Sequence, residues 1–353
     1  MVNTLKNKNL LSDLNEAQSD AVTHTAGPLL IVAGAGTGKT TVITRRIAWL
    51  IEQGLASHDE ILALTFTDKA AGEMEERVDR LLPLGYVNLW VSTFHAFAER
   101  VLKDWALEIG LPNDFKLITP TEQWLLVKQN LDKFDLDYYR PLGNPTKFVH
   151  ALLRHFSRAK DEDVWPEDYL KLAEGKVLDT GRGEYLKKNS KKSRSQKVKK
   201  SEGVLEASLE DETEAGRLLE IAKAYHTYQK LLLDKGALDF GDLINYTLKL
   251  FRTRPKVLNQ YRRQFKYLLV DEFQDTNYAQ YELVKMLAAP QNNITVVGDD
   301  DQSVYKFRGA SISNILEFKQ DYPKAAQIIL TQNYRSTQNI LDLSYKFIQL
   351  NNP

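Results

Sequence analysis

Residues Ala33-Gly34-Ala35-Gly36-Thr37-Gly38-Lys39-Thr40 constrain the fold of this chain more than any other stretch. Pro28 to Ala33, which leads into them, is short and apolar, the pattern of a buried strand. The segment after them places Ile43, Ile47, Leu50 and Ile51 at helical spacing. A strand, a glycine-rich turn and a helix in this order make a phosphate-binding loop. Successive backbone N–H groups wrap the anion, small residues allow close approach, and the helix dipole favours negative charge. Such loops use the lysine on the β- and γ-phosphates and the next hydroxyl on Mg²⁺, which assigns Lys39 and Thr40. The usual first glycine is Ala33 here; three glycines remain, so the cradle is expected to survive.

Alternation continues beyond the loop. Glu60 to Phe66 is a second buried strand, Lys69 to Leu82 a charged amphipathic helix, and Asn88 to Ser92 a third strand. Strands alternating with helices of this length predict a parallel, doubly wound α/β sheet. From Phe94 to about Leu233 the period is helical with no clear buried strand; strands return at Tyr267–Val270, Ile294–Val297 and Gln327–Leu330. The middle therefore reads as an all-helical subdomain inserted into a P-loop α/β domain. The expected limits are a tail at 1–10, α/β segments at 11–100 and 236–328, the insertion at 101–235, and a new element from 329 to 353. Lys187 to Lys200 is densely basic and Glu202 to Glu214 carries six acidic residues. Such blocks predict a solvated linker over about 175–215, with a DNA-touching arm as the alternative.

Composition limits the partners. Lys+Arg and Asp+Glu both total 47, so no global basic field attracts nucleic acid, and any such binding must be local. The chain has no cysteine, which removes disulfides and thiolate metal sites. No apolar run approaches the length of about 18 residues expected of a membrane span. Met1 to Asp13 lacks the apolar core of a signal peptide. A soluble cytoplasmic protein with no membrane partner is expected.

The second chemical signature is Tyr267 to Asn277, where a buried strand ends in Asp271 and Glu272. Ligands bind at the carboxyl ends of parallel strands. An adjacent acid pair there can divide the labour, Asp271 binding Mg²⁺ and Glu272 deprotonating the attacking water. A solvated acidic turn is the plain alternative. Val296 to Ala310 again starts as a strand and emerges at the same edge. Gln302 is suited to sense the γ-phosphate, while Tyr305, Phe307 and Arg308 make an aromatic and cationic surface for stacking bases. Core packing of those aromatics is the competing reading.

These motifs together resemble the N-terminal part of UvrD/Rep/PcrA-type superfamily 1 DNA helicases. Leu14 to Gln18 resembles the family's Q motif, in which Gln18 would contact adenine. Thr65-Phe66-Thr67-Asp68-Lys69 is similar to a single-strand-binding motif that usually carries Asn where Asp68 stands. Thr93-Phe94-His95 resembles the next DNA-contacting motif, and Asp239 to Leu243 a further one. Asp271 to Asn277 matches the acidic motif in full, and Phe307 stands where Trp is common. Gln332 to Ser336 resembles the motif in which Tyr334 would stack on adenine and Arg335 would reach the γ-phosphate. The family often has Arg where Thr41 stands, so a nucleotide contact is lost or moves to Arg45 or Arg46.

The resemblance implies a RecA-like fold, with ATP and Mg²⁺ as cofactors and single-stranded and junction DNA as partners. It implies 3′→5′ stepping and unwinding by a monomer in repair or replication, with proteins of those pathways as possible contacts. It places the start of a second motor domain at 329–353, and the family's last two motifs do not occur in these 353 residues. The chain by itself is therefore expected to bind nucleotide and DNA with little turnover. A non-motor ATP- and single-strand-binding module is one alternative; the motor subunit of a recombination helicase–nuclease is another.

Overall fold

The computed structural model describes residues 10–82, 89–190, 202–299 and 313–349, with side chains for all of these but 179–190, 202–212, 313 and 348. The chain divides into two compact units, Met1–Asn113 with Leu243–Pro353, and Asp114–Asp242. Eight strands occur among the described residues: β1 Leu29–Ala33, β2 Ile61–Thr65, β3 Trp90–Thr93, β4 Lys116–Leu117, β5 Ala237–Leu238, β6 Tyr267–Val270, β7 Ile294–Gly298 and β8 Ala326–Leu330.

The first unit is built on a six-stranded sheet in the order β3-β2-β6-β7-β1-β8. Every neighbouring pair is parallel, with Leu30 opposite Val296 and Gln327, and Leu62 opposite Leu268 and Trp90. Helices cover a parallel sheet on both faces, so its inner strands are apolar throughout. β2, β6 and β7 are buried at every residue, whereas the edge strand β8 alternates. Leu29, Ile31, Ile47, Ala63, Leu269 and Val297 belong to one core. All six strands point the same way, so their carboxyl ends share one edge.

Two expected boundaries move. Helix Phe94–Trp105 buries Phe94, Phe97, Ala98, Val101 and Leu102, so it packs as part of the sheet-containing unit rather than opening the insertion. β8 runs through residue 328 to Leu330 and pairs along its whole length with β1.

The second unit packs helices Pro120–Gln129, Val149–Asp161, Pro166–Ser190 and Glu202–Asp234 around Leu126, Leu152, Phe156, Tyr225, Tyr228 and Leu232. It is not purely helical: β4 and β5 form a short parallel ladder, Lys116 opposite Ala237. The acidic stretch 202–214 is not linker but the first part of a helix, and 187–190 end another. Interspersed Glu, Leu and Ala carry high helix propensity, which outweighs the local charge. The rest of the basic run, 191–200, lies outside the described residues.

A buried ionic cluster anchors this unit. Lys160, 2% exposed, lies 2.7 Å from Asp239 Oδ2 and 2.8 Å from Asp242 Oδ1. Tyr228 donates its hydroxyl to Asp239 at 2.9 Å and Gln229 its amide to Asp242 at 3.0 Å. The two aspartates also accept each other's backbone N–H, at 3.0 Å each, capping helix Phe240–Thr253. A Cβ on Gly241 would lie 2.9 Å from Lys160 Cβ, so the close approach needs glycine there. One ammonium between two carboxylates leaves a net negative charge. Burial, and then Asp239, accordingly push the Asp242 carboxyl up to about 6.

Candidate nucleotide-binding and hydrolysis site

β1 ends in a loop whose backbone only glycine adopts readily, with φ of 79° at Gly36 and 92° at Gly38. Thr37 closes the turn on Gly34, its N–H and hydroxyl donating to the Gly34 carbonyl at 3.3 and 2.8 Å. Helix Lys39–Glu52 starts at once, and no side chain caps it. Its first-turn N–H groups have no intrahelical acceptor, which suits them to an anion. A cleft of about 390 Å³ opens there, lined by Gly36, Lys39, Thr40, Thr41, Glu272, Tyr334 and Arg335 among others.

The acid pair sits at the end of β6, beside β2: Asp271 N–H donates to the Leu64 carbonyl at 2.9 Å. Glu272 takes φ 49° and ψ 45°, a left-handed conformation that costs a non-glycine residue about 1–3 kcal/mol. This turn aims its carboxylate into the cleft, 3.1 Å from the Lys39 ammonium. Gln274 fixes it further. Its amide donates to Glu272 Oε2 at 2.8 Å and accepts the Asp299 N–H at 3.1 Å, tying the ends of β6 and β7 together. Asp271 lies behind, 5% exposed and off the cleft wall. Burial and the neighbouring Glu272 charge push its carboxyl up to about 6, against the pull of Lys39 and Arg77. A carboxylate so crowded gains from a nearby cation.

Among the described residues, no group of three or more His, Asp or Glu side chains could hold a metal alone. That fits Mg²⁺, which keeps waters and substrate phosphates in its shell and takes one or two protein ligands. The Thr40 hydroxyl and Asp271 supply such a pair.

Other expected nucleotide residues divide. Tyr334, 55% exposed, and Arg335 line the cleft. They are carried there by the chain after β8, which docks on the loop through the Tyr334 N–H on the Gly36 carbonyl at 2.9 Å. Gln18 does not line the cleft. It is 3% exposed, accepts from Asn15 N–H at 3.2 Å and donates to the Thr37 carbonyl at 2.9 Å, bracing the phosphate loop from behind. Gly38 must stay bare because a Cβ would sit 2.8 Å from this amide. Ala33 is the buried last residue of β1, and Gly34 lies against Asp299.

The idea that Arg45 or Arg46 replaces the contact missing at Thr41 is corrected. Arg45 donates to the Leu10 carbonyl at 2.7 Å. Arg46, 1% exposed, donates to the carbonyls of Ala21, Val22 and His24 and to the Thr295 hydroxyl. It closes the end of helix Glu16–Thr23, and burial lowers its pKa to about 10.

The expected DNA residues that are described gather at the far side of the same edge. Thr65 and Thr93 end adjacent strands in register. The Thr65 hydroxyl is buried with no hydrogen-bond partner, while Thr93 caps helix Phe94–Trp105 through Ala96 N–H at 3.2 Å. Phe66 is half-buried. His95 is pushed below its ordinary pKa by burial, with the Asp68 carboxylate pulling the other way. Gln302, Tyr305, Phe307 and Arg308 lie outside the described residues.

Sequence reasoning overlooked Glu73, Arg77, Gln274 and Asn333. Glu73 and Arg77 line the cleft from helix Asp68–Leu81. Their spacing of four, on a helix that starts where β2 ends, was the available signal.

The residues from the phosphate loop to β7 are matched by a family model. The UvrD/REP helicase N-terminal domain covers residues 14–323. The chain belongs to this family. As a UvrD/Rep family member it is 41% identical over 343 residues to the ATP-dependent DNA helicase PcrA of Bacillus subtilis, covering 97% of this chain and 40% of that protein. PcrA of Leuconostoc citreum is 40% identical over 346 residues, with the same shares, 97% and 40%. PcrA of Staphylococcus aureus strain Mu50 is 41% identical over 342 residues, again 97% and 40%. The chain spans about 40% of the length of these curated relatives. Among the described residues, no helix is long and apolar enough to cross a membrane.

Proposed function

We propose that this chain is the nucleotide-binding part of an ATP-dependent DNA helicase that steps 3′→5′ along single-stranded DNA. The observation that carries this reading is the convergence of Lys39, Glu272, Tyr334 and Arg335 on one cleft from three different strand ends. A pure binding module has no need of a strained carboxylate aimed at the phosphate lysine.

In this reading the loop N–H groups and Lys39 bind the β- and γ-phosphates. Tyr334 stacks on the base. Thr40 and Asp271 hold Mg²⁺, which neutralises charge developing on the phosphates. Glu272 accepts the proton of the attacking water, and its contact with Lys39 is exchanged for one between Lys39 and phosphate. Arg335 and Gln302 meet the γ-phosphate. Thr65, Phe66, Thr93, His95, Tyr305, Phe307 and Arg308 form the DNA track, and Gln274 links the two halves by holding Glu272 and the end of β7 together. Single-stranded and junction DNA in repair or replication are the proposed substrates.

Lys39→Ala tests the nucleotide site. Removing a charge-assisted phosphate contact worth about 1.5–3 kcal/mol should weaken Mg²⁺-ATP binding roughly 10–100-fold by calorimetry, with melting temperature nearly unchanged. Unaltered affinity would remove the cleft from consideration. Phe307→Ala tests the DNA track: single-strand affinity should fall by about 1–3 kcal/mol if the ring stacks on a base. No change in affinity would assign Phe307 to packing.

A further inference from the structure

Asn333 makes more contacts with the phosphate loop region than either of its functional neighbours. Its Nδ2 donates to the Ala35 carbonyl at 2.5 Å, while its Oδ1 accepts the backbone N–H of Arg335 and of Ser336, each at 2.8 Å. The side chain thus folds the segment 333–336 into a tight turn and fastens that turn to the loop. The adjoining Tyr334 N–H reaches the Gly36 carbonyl, and the Tyr334 hydroxyl accepts from Asn15 at 2.9 Å. Packing is so close that a Cβ on Gly36 would lie 2.7 Å from Arg335 Cβ and 2.9 Å from Asn333 Oδ1. Gly36 is therefore bare partly to admit this turn, beyond the needs of phosphate approach.

We infer that Asn333 is a positioning residue that couples the place of Arg335 to the conformation of the phosphate loop. This rests on the nucleotide reading above. Arg335 is a long, exposed side chain whose conformational freedom opposes any fixed placement. Its backbone is held by one carboxamide, and the other end of that carboxamide holds Ala35. A shift of the loop on phosphate binding therefore moves the root of the arginine, and the arginine reports back on the loop. Glutamine or lysine in the same turn could not do both, since only a short side chain accepts from the next two N–H groups while donating across to Ala35.

The test compares Mg²⁺-ADP with the magnesium complex of a non-hydrolysable ATP analogue, by calorimetry on the whole chain. Asn333→Ala should weaken the triphosphate about tenfold, the equivalent of roughly 1.4 kcal/mol, and the diphosphate less than about twofold. Merely loosening the fold would weaken both alike, and that result overturns the inference. Asn333→Asp keeps both acceptor bonds of the turn but turns a carboxylate oxygen toward the Ala35 carbonyl. It should reproduce the alanine result with the turn intact, and it serves if the alanine variant folds poorly. An aspartate variant that binds like the parent overturns the coupling. Asn333→Ala combined with Arg335→Ala should bind the triphosphate no more weakly than Arg335→Ala alone, whereas additive losses make Asn333 independent of Arg335. If the parent shows no binding that depends on Lys39, the nucleotide reading itself fails and this inference goes with it. Binding that depends on Lys39 but is insensitive to Asn333 refutes the inference alone.

Discussion

Glu272→Gln should lower ATP turnover by about 10²–10⁴-fold, the usual contribution of a general base, while Mg²⁺-ATP affinity stays within about threefold of the parent. The substitution is close to isosteric and keeps the left-handed backbone at φ 49°, so the turn after β6 has no new strain to relieve. The Gln274 amide retains an acceptor in place of Glu272 Oε2. What is lost is the negative charge 3.1 Å from Lys39 and the capacity to take a proton. Losing the ion pair frees Lys39 for phosphate, so binding is spared or slightly improved. Phosphate release with single-stranded DNA present, measured beside nucleotide binding, separates the two effects. Turnover equal to the parent's would move the base elsewhere, and a parallel loss of binding would make Glu272 a structural partner of Lys39.

Lys160→Met should destabilise the helical unit by about 3–5 kcal/mol, read as a lower midpoint in chemical denaturation. Methionine preserves the side-chain volume but leaves Asp239 and Asp242 facing each other, 6% and 2% exposed, without a counter-charge. The cost arises from those stranded carboxylates more than from the missing contacts. Adding Asp239→Asn and Asp242→Asn to Lys160→Met should therefore recover a substantial part of the loss. A triple variant as unstable as the single one would place the cost in packing against Gly241 and Tyr228 instead.

This cluster also marks how far the sequence could be read. Asp239 to Leu243 was recognised as a motif, yet nothing local announced Lys160, 79 positions earlier, as its partner. The inner strands were legible because burial on both faces of a parallel sheet demands unbroken apolar runs such as Tyr267–Val270. The acidic segment 202–214 was misread because charge density is a weaker signal than helix propensity when a partner helix lies alongside. Gln18 illustrates a subtler limit: its identity was noted, but only the fold reveals that both ends of its amide are taken by Asn15 and Thr37.

By itself the sequence determined the phosphate loop, the acid pair and their shared edge. Each of these depends on local order, a strand followed by its own turn and helix, and local order is written in adjacent residues. Tertiary structure alone decided what meets the loop. It brought Asn333 onto Ala35 across 298 positions, put Glu73 and Arg77 on the cleft wall, and withdrew Arg46 into the core. The strand order 3-2-6-7-1-8 is the physical reason. A parallel sheet sets side by side strand ends that are remote in the chain, and which ends become neighbours depends on packing that no single segment encodes.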